Sequence, residues 1–523
     1  MQEQFISDIT ESYTFKGDAI VMGGAMLNGE CQENAHVKLP LKMMNRHGLI
    51  AGATGTGKTK TVQVIAEQLS KSGVPVLLMD LKGDLSGLAQ AGSNNKHIEK
   101  RHGQIGLDYK EEAMPVELLS ISEEAGVKLK ATISEFGPVL FAKMLDLNEV
   151  QTGITTIVFK YCDDNKLPLL DLADFKKTLQ YINTDGKKEI EEEYGKVSSA
   201  SVAAILRSVI ALEQQGADMF FGEPSFDVED LVRFDDQGKG MISIIRLTDI
   251  QNKPKLFSTF MLCLLSEIYH TFPEEGDMDR PKLAIFIDEA HLVFEEATDA
   301  LMDQLEAIIK LIRSKAVGIF FCTQNPEDIP DDILGQLGLK VQHALRAFTA
   351  KDRKAIKKTA ENFPLSDYYQ TDELLTSMGI GEALITTLNE KGIPSMLAAT
   401  LLRAPLTRMD ILSQEEIQDL IDSSKLIKEY NKEIDRESAY EILKKKMEEA
   451  ASEEKQEELR KEQEKARKVS TRSRRVKEEP SFIEQMSKNT MVRQVGRTIA
   501  RELMRGLLGS LGVKKSRSSK SWF

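Results

Sequence analysis

The stretch LIAGATGTGKTKTVQVIA, residues 49–66, decides the fold of this chain. It contains the pattern GxxxxGK[ST], whose glycines let backbone N–H groups turn inward around phosphate oxygens. A short apolar strand precedes the pattern and a helix follows it, which is the context that a phosphate-binding loop requires. The residues that we predict to bind a nucleotide are Gly52, Ala53, Thr54, Gly55, Thr56, Gly57, Lys58, Thr59 and Thr61.

Two side chains of this loop have roles that the pattern assigns. Lys58 is expected to direct its positive charge toward the β and γ phosphates of ATP, and Thr59 to offer its hydroxyl to Mg²⁺. These two residues alone would serve a nucleotide switch as well as an enzyme. A hydrolase needs a further acidic group that orients the attacking water.

That acidic group is present in the stretch LAIFIDEAH, residues 283–291. Its apolar residues carry Asp288 to the C-terminal end of a buried strand, with Glu289 beside it. We expect Asp288 to hold Mg²⁺ through its water shell and Glu289 to activate the attacking water. The sequence therefore predicts an ATPase in which Lys58 and Glu289 are catalytic.

The order of strand-like and helix-like segments along the chain predicts an α/β fold with a mainly parallel sheet. Apolar segments typical of strands alternate with helices, and such alternation places a parallel sheet between two helical layers. From about residue 114 to 236 the pattern is helical instead. The predicted segments are an N-terminal β-hairpin (1–37), the first part of the core (38–113), an all-α insertion (114–236), the second part of the core (237–408), a helical C-terminal extension (409–469) and a basic tail with an amphipathic helix (470–523).

Composition indicates the compartment. The apolar fraction is 41%, and no apolar run approaches the ~20 residues that a membrane span needs. The N-terminal residues lack the basic and apolar segments of a secretory signal. The cysteines are far apart in the sequence, which argues against a disulfide framework or a structural zinc site. We therefore expect a cytoplasmic protein without a membrane span. The four cysteines are Cys31, Cys162, Cys263 and Cys322.

Charge is distributed unevenly along the chain. The formal net charge is −13, although residues 465–523 contain sixteen Lys and Arg against four Glu. The rest of the chain is thus strongly acidic, which is unlike a surface coated for nucleic acid but leaves room for a locally basic channel. The basic tail fits a solvated disordered end, an anionic membrane surface, a nucleic acid or a partner chain.

Four motifs resemble those of the HerA/FtsK group of P-loop ATPases, which are ring-forming motors with a RecA-like core. They are GLIAGATGTGKT, LLMDLKGDL, IFIDEAH and RSKAVGIFFCTQNP, and the resemblance covers about residues 38–408. It is greatest to the HerA-like, YjgR-type branch of bacterial proteins, and the helical insertion is similar to that of conjugative coupling ATPases. A DEAH-box helicase is the weaker alternative, because CTQNP follows the next strand and no helicase-type arginine motif occurs.

The resemblance implies roles for residues outside the loop. Gln324 ends the strand beside the metal-binding strand, where its amide would contact the γ-phosphate or the attacking water. Arg313 matches the arginine finger of the family and would reach the nucleotide of a neighbouring subunit, while Arg346 is the competing candidate within the same chain. In MDLKGDL, Asp80 and Lys82 face the same crevice, and we expect them to orient the site.

Two functions remain open from the sequence. The resemblance implies an ATP-hydrolysing ring motor, a homo-hexamer that uses ATP and Mg²⁺ to translocate or remodel double-stranded DNA. The acidic body and the absence of a recognisable DNA-binding module favour the alternative, an ATP-dependent assembly or regulatory ATPase that acts on a protein partner. A small-molecule kinase is the weakest hypothesis, because no acceptor site is visible.

Overall fold

The structure is a computed structural model, and it divides the chain into two compact units. The first unit comprises residues 1–129 and 226–432, and the second comprises residues 130–225 with the described residues after 432. The structure describes residues 1–276, 278–295, 297–432, 434 and 437–449.

Twelve strands and seventeen α-helices are found among the described residues. The strands are β1 (Ala19–Leu27), β2 (Glu30–Pro40), β3 (Gly48–Ala51), β4 (Val76–Asp80), β5 (Val116–Ser120), β6 (Val127–Lys128), β7 (Ile242–Arg246), β8 (Leu283–Ile287), β9 (Val317–Thr323), β10 (Leu339–His343), β11 (Glu382–Thr386) and β12 (Ala398–Leu402). The helices are α1 (Gln2–Ser12), α2 (Lys58–Lys71), α3 (Lys96–Ile105), α4 (Ile133–Met144), α5 (Glu149–Asn165), α6 (Leu172–Asn183), α7 (Lys187–Glu193), α8 (Ser199–Glu213), α9 (Pro254–Thr271), α10 (His291–Phe294), α11 (Asp299–Ile312), α12 (Asp331–Leu334), α13 (Ala350–Glu361), α14 (Thr371–Ser377), α15 (Gln414–Ser423), α16 (Ile427–Tyr430) and α17 (439–449).

One sheet forms the core of the first unit. Its strand order is β2-β1-β12-β11-β10-β3-β9-β8-β4-β7-β5-β6. Every pair from β10 to β6 is parallel, and every pair from β2 to β10 is antiparallel. The central strands β3, β4, β8 and β9 are buried along their whole length, which explains their continuous apolar sequences. The predicted α/β fold with a mainly parallel sheet is confirmed.

The N-terminal hairpin belongs to this same sheet. Strands β1 and β2 pair with each other, and β1 pairs with β12, so the hairpin extends the antiparallel end of the core. Helix α1 was not predicted. Phe5 and Ile9 of α1 are fully buried, and the hydroxyl of Tyr13 donates to the carbonyls of Ile385 and Met396 at 2.9 and 2.7 Å. These long-range contacts hold the first residues of the chain on the core.

The second unit is helical, and it begins later in the chain than the boundary predicted at residue 114. Strands β5 and β6 precede it and pair within the sheet. Strand β5 was not predicted because the charged Glu117 interrupts its apolar sequence. In the structure, Arg233 pairs with the carboxylate of Glu117 at 3.1 Å. Helix α8 forms where the sequence predicted it, with the side chain of Ser198 accepting from the backbone N–H of Ser201.

The C-terminal extension is described only in part. Helix α15 begins with the predicted capping box of Ser413 and Glu416. Helix α17 packs within the second unit, where the backbone N–H of Tyr440 donates to Asp174 at 2.7 Å. The remainder of the predicted extension and the whole basic tail lie outside the described residues. No helix in the described part of the chain is long and apolar enough to cross a membrane.

Candidate nucleotide site

Five parallel strands end at one edge of the sheet and carry most of the predicted site residues there. Strand β3 leads into the phosphate-binding loop, and β10 ends beside that loop. Strand β4 leads into a turn at residues 80–85, β8 into Asp288 and Glu289, and β9 into Gln324. In open α/β sheets, ligands bind at this carboxyl edge.

The loop between β3 and α2 requires glycine at particular positions. Gly52, Gly55 and Gly57 have φ angles of +151°, +78° and +115°, which L-residues with side chains rarely adopt. A Cβ atom on Gly52 would lie 2.5 Å from Cβ of His343, so a side chain is also excluded by contact. In the part of the chain that the structure describes, the N–H groups of Gly55 and Gly57 donate to no backbone carbonyl. Such groups at a helix N-terminus suit an anion.

Lys58 lies over the same loop. Its Nζ donates to the carbonyls of Gly52 at 2.7 Å and Ala53 at 3.3 Å. Burial lowers the pKa of Lys58 and the charge of Lys82 adds to this effect, while Glu289 and other acidic groups oppose it. The ammonium is thus held close to the loop, as a phosphate-binding lysine must be.

Thr59 and Asp288 line one small cavity beneath the loop. Burial raises the pKa of Asp288 to about 6, although Lys82 acts in the opposite direction. Among the described residues, no three His, Cys, Asp or Glu side chains are grouped to hold a metal ion. A hydroxyl and one carboxylate fit Mg²⁺, which keeps several waters and takes its other ligands from substrate phosphates.

Glu289 has an unusual backbone and a fixed side chain. Its φ angle of +46° is uncommon for a residue other than glycine, and such strain is concentrated at functional sites. Lys82 Nζ forms an ion pair with its Oε1. Burial alone would raise the pKa of Glu289, but the hydrogen bond and charge of Lys82 lower it. His291 Nδ1 lies 3.4 Å from Oε2 without hydrogen-bonding geometry.

Gln324 connects the loop to this carboxylate. The hydroxyl of Thr54 donates to Oε1 of Gln324 at 2.9 Å, and Nε2 of Gln324 donates to Oε1 of Glu289 at 3.4 Å. The amide therefore bridges the tip of the phosphate-binding loop and the acidic group, in a position from which it can sense both.

The turn after β4 is held by its first residue. Asp80 accepts from the backbone N–H groups of Gly83, Asp84 and Leu85 at 2.7, 3.2 and 3.1 Å. Burial raises the pKa of Asp80 to about 7 and the charge of Asp84 adds to this rise, while the N–H groups of Leu85 and Gly83 oppose it. The turn places Lys82 against Glu289. The structure therefore brings Asp80 and Lys82 to the crevice in which the sequence analysis expected them.

Sequence reasoning missed Asp84, two positions after Lys82. Its Oδ2 accepts from the hydroxyl of Thr59 at 3.2 Å, and its Oδ1 is buried without a hydrogen-bond partner in the structure. The signal was the second acid of DLKGDL, which lies four residues after the end of β4. A buried carboxylate oxygen beside Thr59 is a kind of ligand that Mg²⁺ accepts.

Three other predicted residues lie in different surroundings. The hydroxyl of Thr61 is 2.9 Å from Nε2 of buried His343, so this side chain supports the loop from below. Arg346 is exposed at the end of β10, and its guanidinium donates to the carbonyl of Thr376 at 3.3 Å. Arg313 is exposed before β9, a strand length of roughly 20 Å from the loop in its own chain. The structure thus does not bring Arg313 to this site.

Comparisons with known proteins agree with the fold and the motifs. Residues 25–517 match the family described as "Helicase HerA-like C-terminal". The DNA double-strand break repair helicase HerA of Sulfolobus acidocaldarius is 24% identical over 359 residues, 67% of this chain and 64% of that protein. The DNA import protein CedB of the same organism is 24% identical over 354 residues, 67% of this chain and 51% of that protein. The matched region therefore falls short of two thirds of these relatives' own length.

A solved structure has the same fold. The bacterial conjugative coupling protein TrwB, without its first 70 residues, superposes with a TM-score of 0.51 at 12% identity, covering 78% of this chain and 94% of that one. The RecA-like P-loop architecture implied by the motifs is thereby confirmed. The match across most of the sequence, together with this fold and the loop geometry, shows that the chain belongs to the HerA-like helicase C-terminal family.

Proposed function

We propose that this chain hydrolyses ATP with Mg²⁺ and couples hydrolysis to movement along, or remodelling of, double-stranded DNA. The observation that carries the proposal is the bridge formed by Gln324 between Thr54 and Glu289. It joins the group that would bind phosphate to the group that would activate water, as an enzyme that senses its nucleotide requires.

The chemistry follows from the positions of the side chains. The loop N–H groups and Lys58 hold the phosphates, and Mg²⁺ bound near Thr59 and Asp288 would supply charge stabilisation. Glu289 takes a proton from water as the water oxygen attacks the γ-phosphorus. The bond from that phosphorus to the β–γ bridging oxygen breaks, and ADP leaves with the electron pair.

Assembly into a homo-hexameric ring is part of the proposal. Arg313 lies at the edge of the sheet opposite the loop, so its own nucleotide is out of reach. In a ring, such a residue can meet the nucleotide of a neighbouring subunit. A ring also leaves a central channel, in which a largely acidic chain can hold duplex DNA against a local basic surface.

DNA as the cargo is supported by what similar proteins are called. Two relatives are named as a DNA repair helicase and a DNA import protein, and TrwB is a conjugative coupling protein. TrwB has also been solved with an ATP analogue and with ADP and Mg²⁺. The net charge of −13 favours the second candidate, an ATPase that engages a protein partner.

Phosphate release measured against duplex length separates the two functions. With the full-length protein at one fixed salt concentration, a DNA motor should hydrolyse ATP faster as the duplex lengthens. The Glu289→Gln variant provides the background rate. If duplexes of every length leave the rate unchanged, translocation is excluded and the protein-engaging ATPase is favoured.

A further inference from the structure

Helix α13 carries a strongly basic surface, although residues 1–464 are acidic as a whole. At 100° per residue its cations fall on one arc of roughly half the helix circumference, which includes exposed Glu361 only at the C-terminal end, and its buried residues Ile356 and Thr359 lie on the opposite side. All of the cations are exposed. We call this surface the α13 basic arc, and it consists of Lys351, Arg353, Lys354, Lys357 and Lys358.

The cations of the arc are not neutralised by the fold. Lys358 lies 3.8 Å from Glu327 in an exposed pair, and this is the only ion pair of the arc in the described part of the chain. Asp352 is turned to the helix N-terminus, where it accepts from the N–H groups of Phe348 and Thr349. Like charges three and four positions apart destabilise a helix, so the chain bears a cost that a polyanion would relieve.

The spacing of these charges matches that of a nucleic acid backbone. The arc places five cations along roughly 10 Å of helix axis. Duplex DNA has one negative charge per ~1.7 Å of its axis, so about six phosphate charges lie along the same length. An acidic protein surface seldom has so many negative charges per unit length, because like charges repel one another. The spacing therefore favours a nucleic acid over an acidic protein as the partner of the arc.

The arc is joined to the nucleotide site by a short segment of the same unit. Buried His343 lies 2.9 Å from the hydroxyl of Thr61 and packs on Gly52. The next residue, Ala344, accepts from the backbone N–H of Ala53 at 2.9 Å. Six residues later α13 begins, so the arc and the phosphate-binding loop are attached to the same end of β10.

We infer that the α13 basic arc is a docking surface for the phosphate backbone of duplex DNA, through which DNA acts on the phosphate-binding loop. The inference deepens the proposed function and rests on it for the identity of the polyanion. The cations of the arc are then the residues that contact DNA, although the rest of residues 1–464 is acidic as a whole.

The test compares two charge-reversed full-length proteins. Lys354→Glu with Lys357→Glu reverses two charges in the arc, and Lys187→Glu with Lys188→Glu reverses two exposed charges on α7 as the matched control. Binding of a fluorescent 40-base-pair duplex is followed by anisotropy, and ATP hydrolysis is measured with and without the same duplex. Circular dichroism verifies that both variants are folded.

The arc variant should bind duplex at least tenfold more weakly and lose its stimulation by DNA, whereas its basal hydrolysis and the control variant should be unchanged. Replacing the same two lysines with alanine should reduce the slope of log K against log salt by about two. Duplex binding that is equal in the two reversed proteins overturns the inference. It is also overturned if the reversal changes only the oligomeric state in sedimentation, because the arc then faces a second copy.

These outcomes separate the inference from the proposed function. If the wild-type chain binds duplex through the arc but DNA does not change its ATPase rate, the arc is only a binding surface, and both its action on the phosphate-binding loop and the motor are excluded. If DNA stimulates the wild-type and arc-reversed proteins equally, the motor remains and the arc is excluded. Absence of duplex binding by the wild-type protein excludes the arc as well.

Discussion

Two turns at the same edge of the sheet differ in how the hydrogen bonds of their backbone N–H groups are satisfied. In the phosphate-binding loop, the N–H groups of Gly55 and Gly57 have no backbone acceptor in the described structure. In the turn after β4, the carboxylate of Asp80 accepts from three consecutive N–H groups. The first turn is built to receive an external anion, whereas the second contains its own and therefore serves as a rigid support for Lys82.

Removing the cation of the first turn should have the largest effect. Lys58→Ala deletes the ammonium that lies over the loop carbonyls, so ATP·Mg²⁺ affinity should fall on the order of 100-fold and hydrolysis should stop. Titration with a fluorescent ATP analogue measures this loss. Lys60→Ala is the control, because Lys60 Nζ contacts Gln63 and the carbonyl of Met409 instead. Equal affinities of the two variants would contradict the role of Lys58.

Glu289→Gln tests what the second turn supports. The amide keeps the shape of the side chain but cannot take a proton, so hydrolysis should fall by roughly 10² to 10⁴ while nucleotide affinity is retained. Single-turnover hydrolysis and equilibrium binding are measured on the same preparation. A variant that hydrolyses ATP at the wild-type rate would remove Glu289 from the role of the base.

Mixing of inactive subunits tests whether the first turn is completed by another chain. If Arg313 acts across an interface, Arg313→Ala mixed equally with Lys58→Ala should restore activity to about a quarter of all nucleotide sites. Arg346→Ala mixed with Lys58→Ala should restore none if Arg346 acts within its own chain, because it lies at the same edge as the loop. Recovery in the second mixture alone would make Arg346 the finger.

Lys82 should have a smaller and more selective effect. It contacts Glu289 and no loop residue in the described structure, so Lys82→Met should lower kcat by about tenfold through misplacement of the base and leave KM unchanged. Lys82→Arg should restore most of the rate, since it keeps the ion pair. If KM also rises in Lys82→Met, Lys82 binds the nucleotide. The turn after β4 would then bind the nucleotide as the phosphate-binding loop does, and would not serve only to support Lys82.

The sequence alone predicted those parts of the site whose residues are contiguous in the chain. The loop, Asp288 and Glu289 follow apolar strands whose buried character is local, so the pattern alone places them. Strand β5 was missed because Glu117 interrupts its apolar run and is neutralised only by distant Arg233. Strands β11 and β12 were missed because their short runs show no period without their antiparallel partners.

Pairs formed across the fold could not be predicted in this way. The contacts of Lys82 with Glu289 and of Thr59 with Asp84 join segments that follow different strands, and they depend on the order β3-β9-β8-β4 in the sheet. The support of the loop by His343 likewise requires β10 to lie beside β3. Strand order is a property of the whole chain, so a single motif carries no information about it.

The smallest predicted effect concerns the buried support of the first turn. Burial, with a contribution from Lys58, lowers the pKa of His343 to about 4, whereas an unfolded histidine titrates near 6.5. Between these values the unfolded chain binds a proton that the folded chain does not. The free energy of unfolding should therefore fall as the pH decreases from about 6.5 to 4, by on the order of 2–3 kcal/mol from this residue.

Urea unfolding followed by circular dichroism at pH 7 and pH 4.5 measures the effect in wild-type, His343→Gln and His97→Gln proteins. The first variant should lose part of the acid sensitivity, and exposed His97 should leave it unchanged. Buried His47, whose pKa burial also lowers to about 4, contributes to the sensitivity that remains, together with His102 and His270, whose pKa values burial also lowers. If His343→Gln retains the full wild-type pH dependence, His343 is not held neutral beneath the loop, because a histidine that is neutral only in the folded state must make the fold less stable in acid.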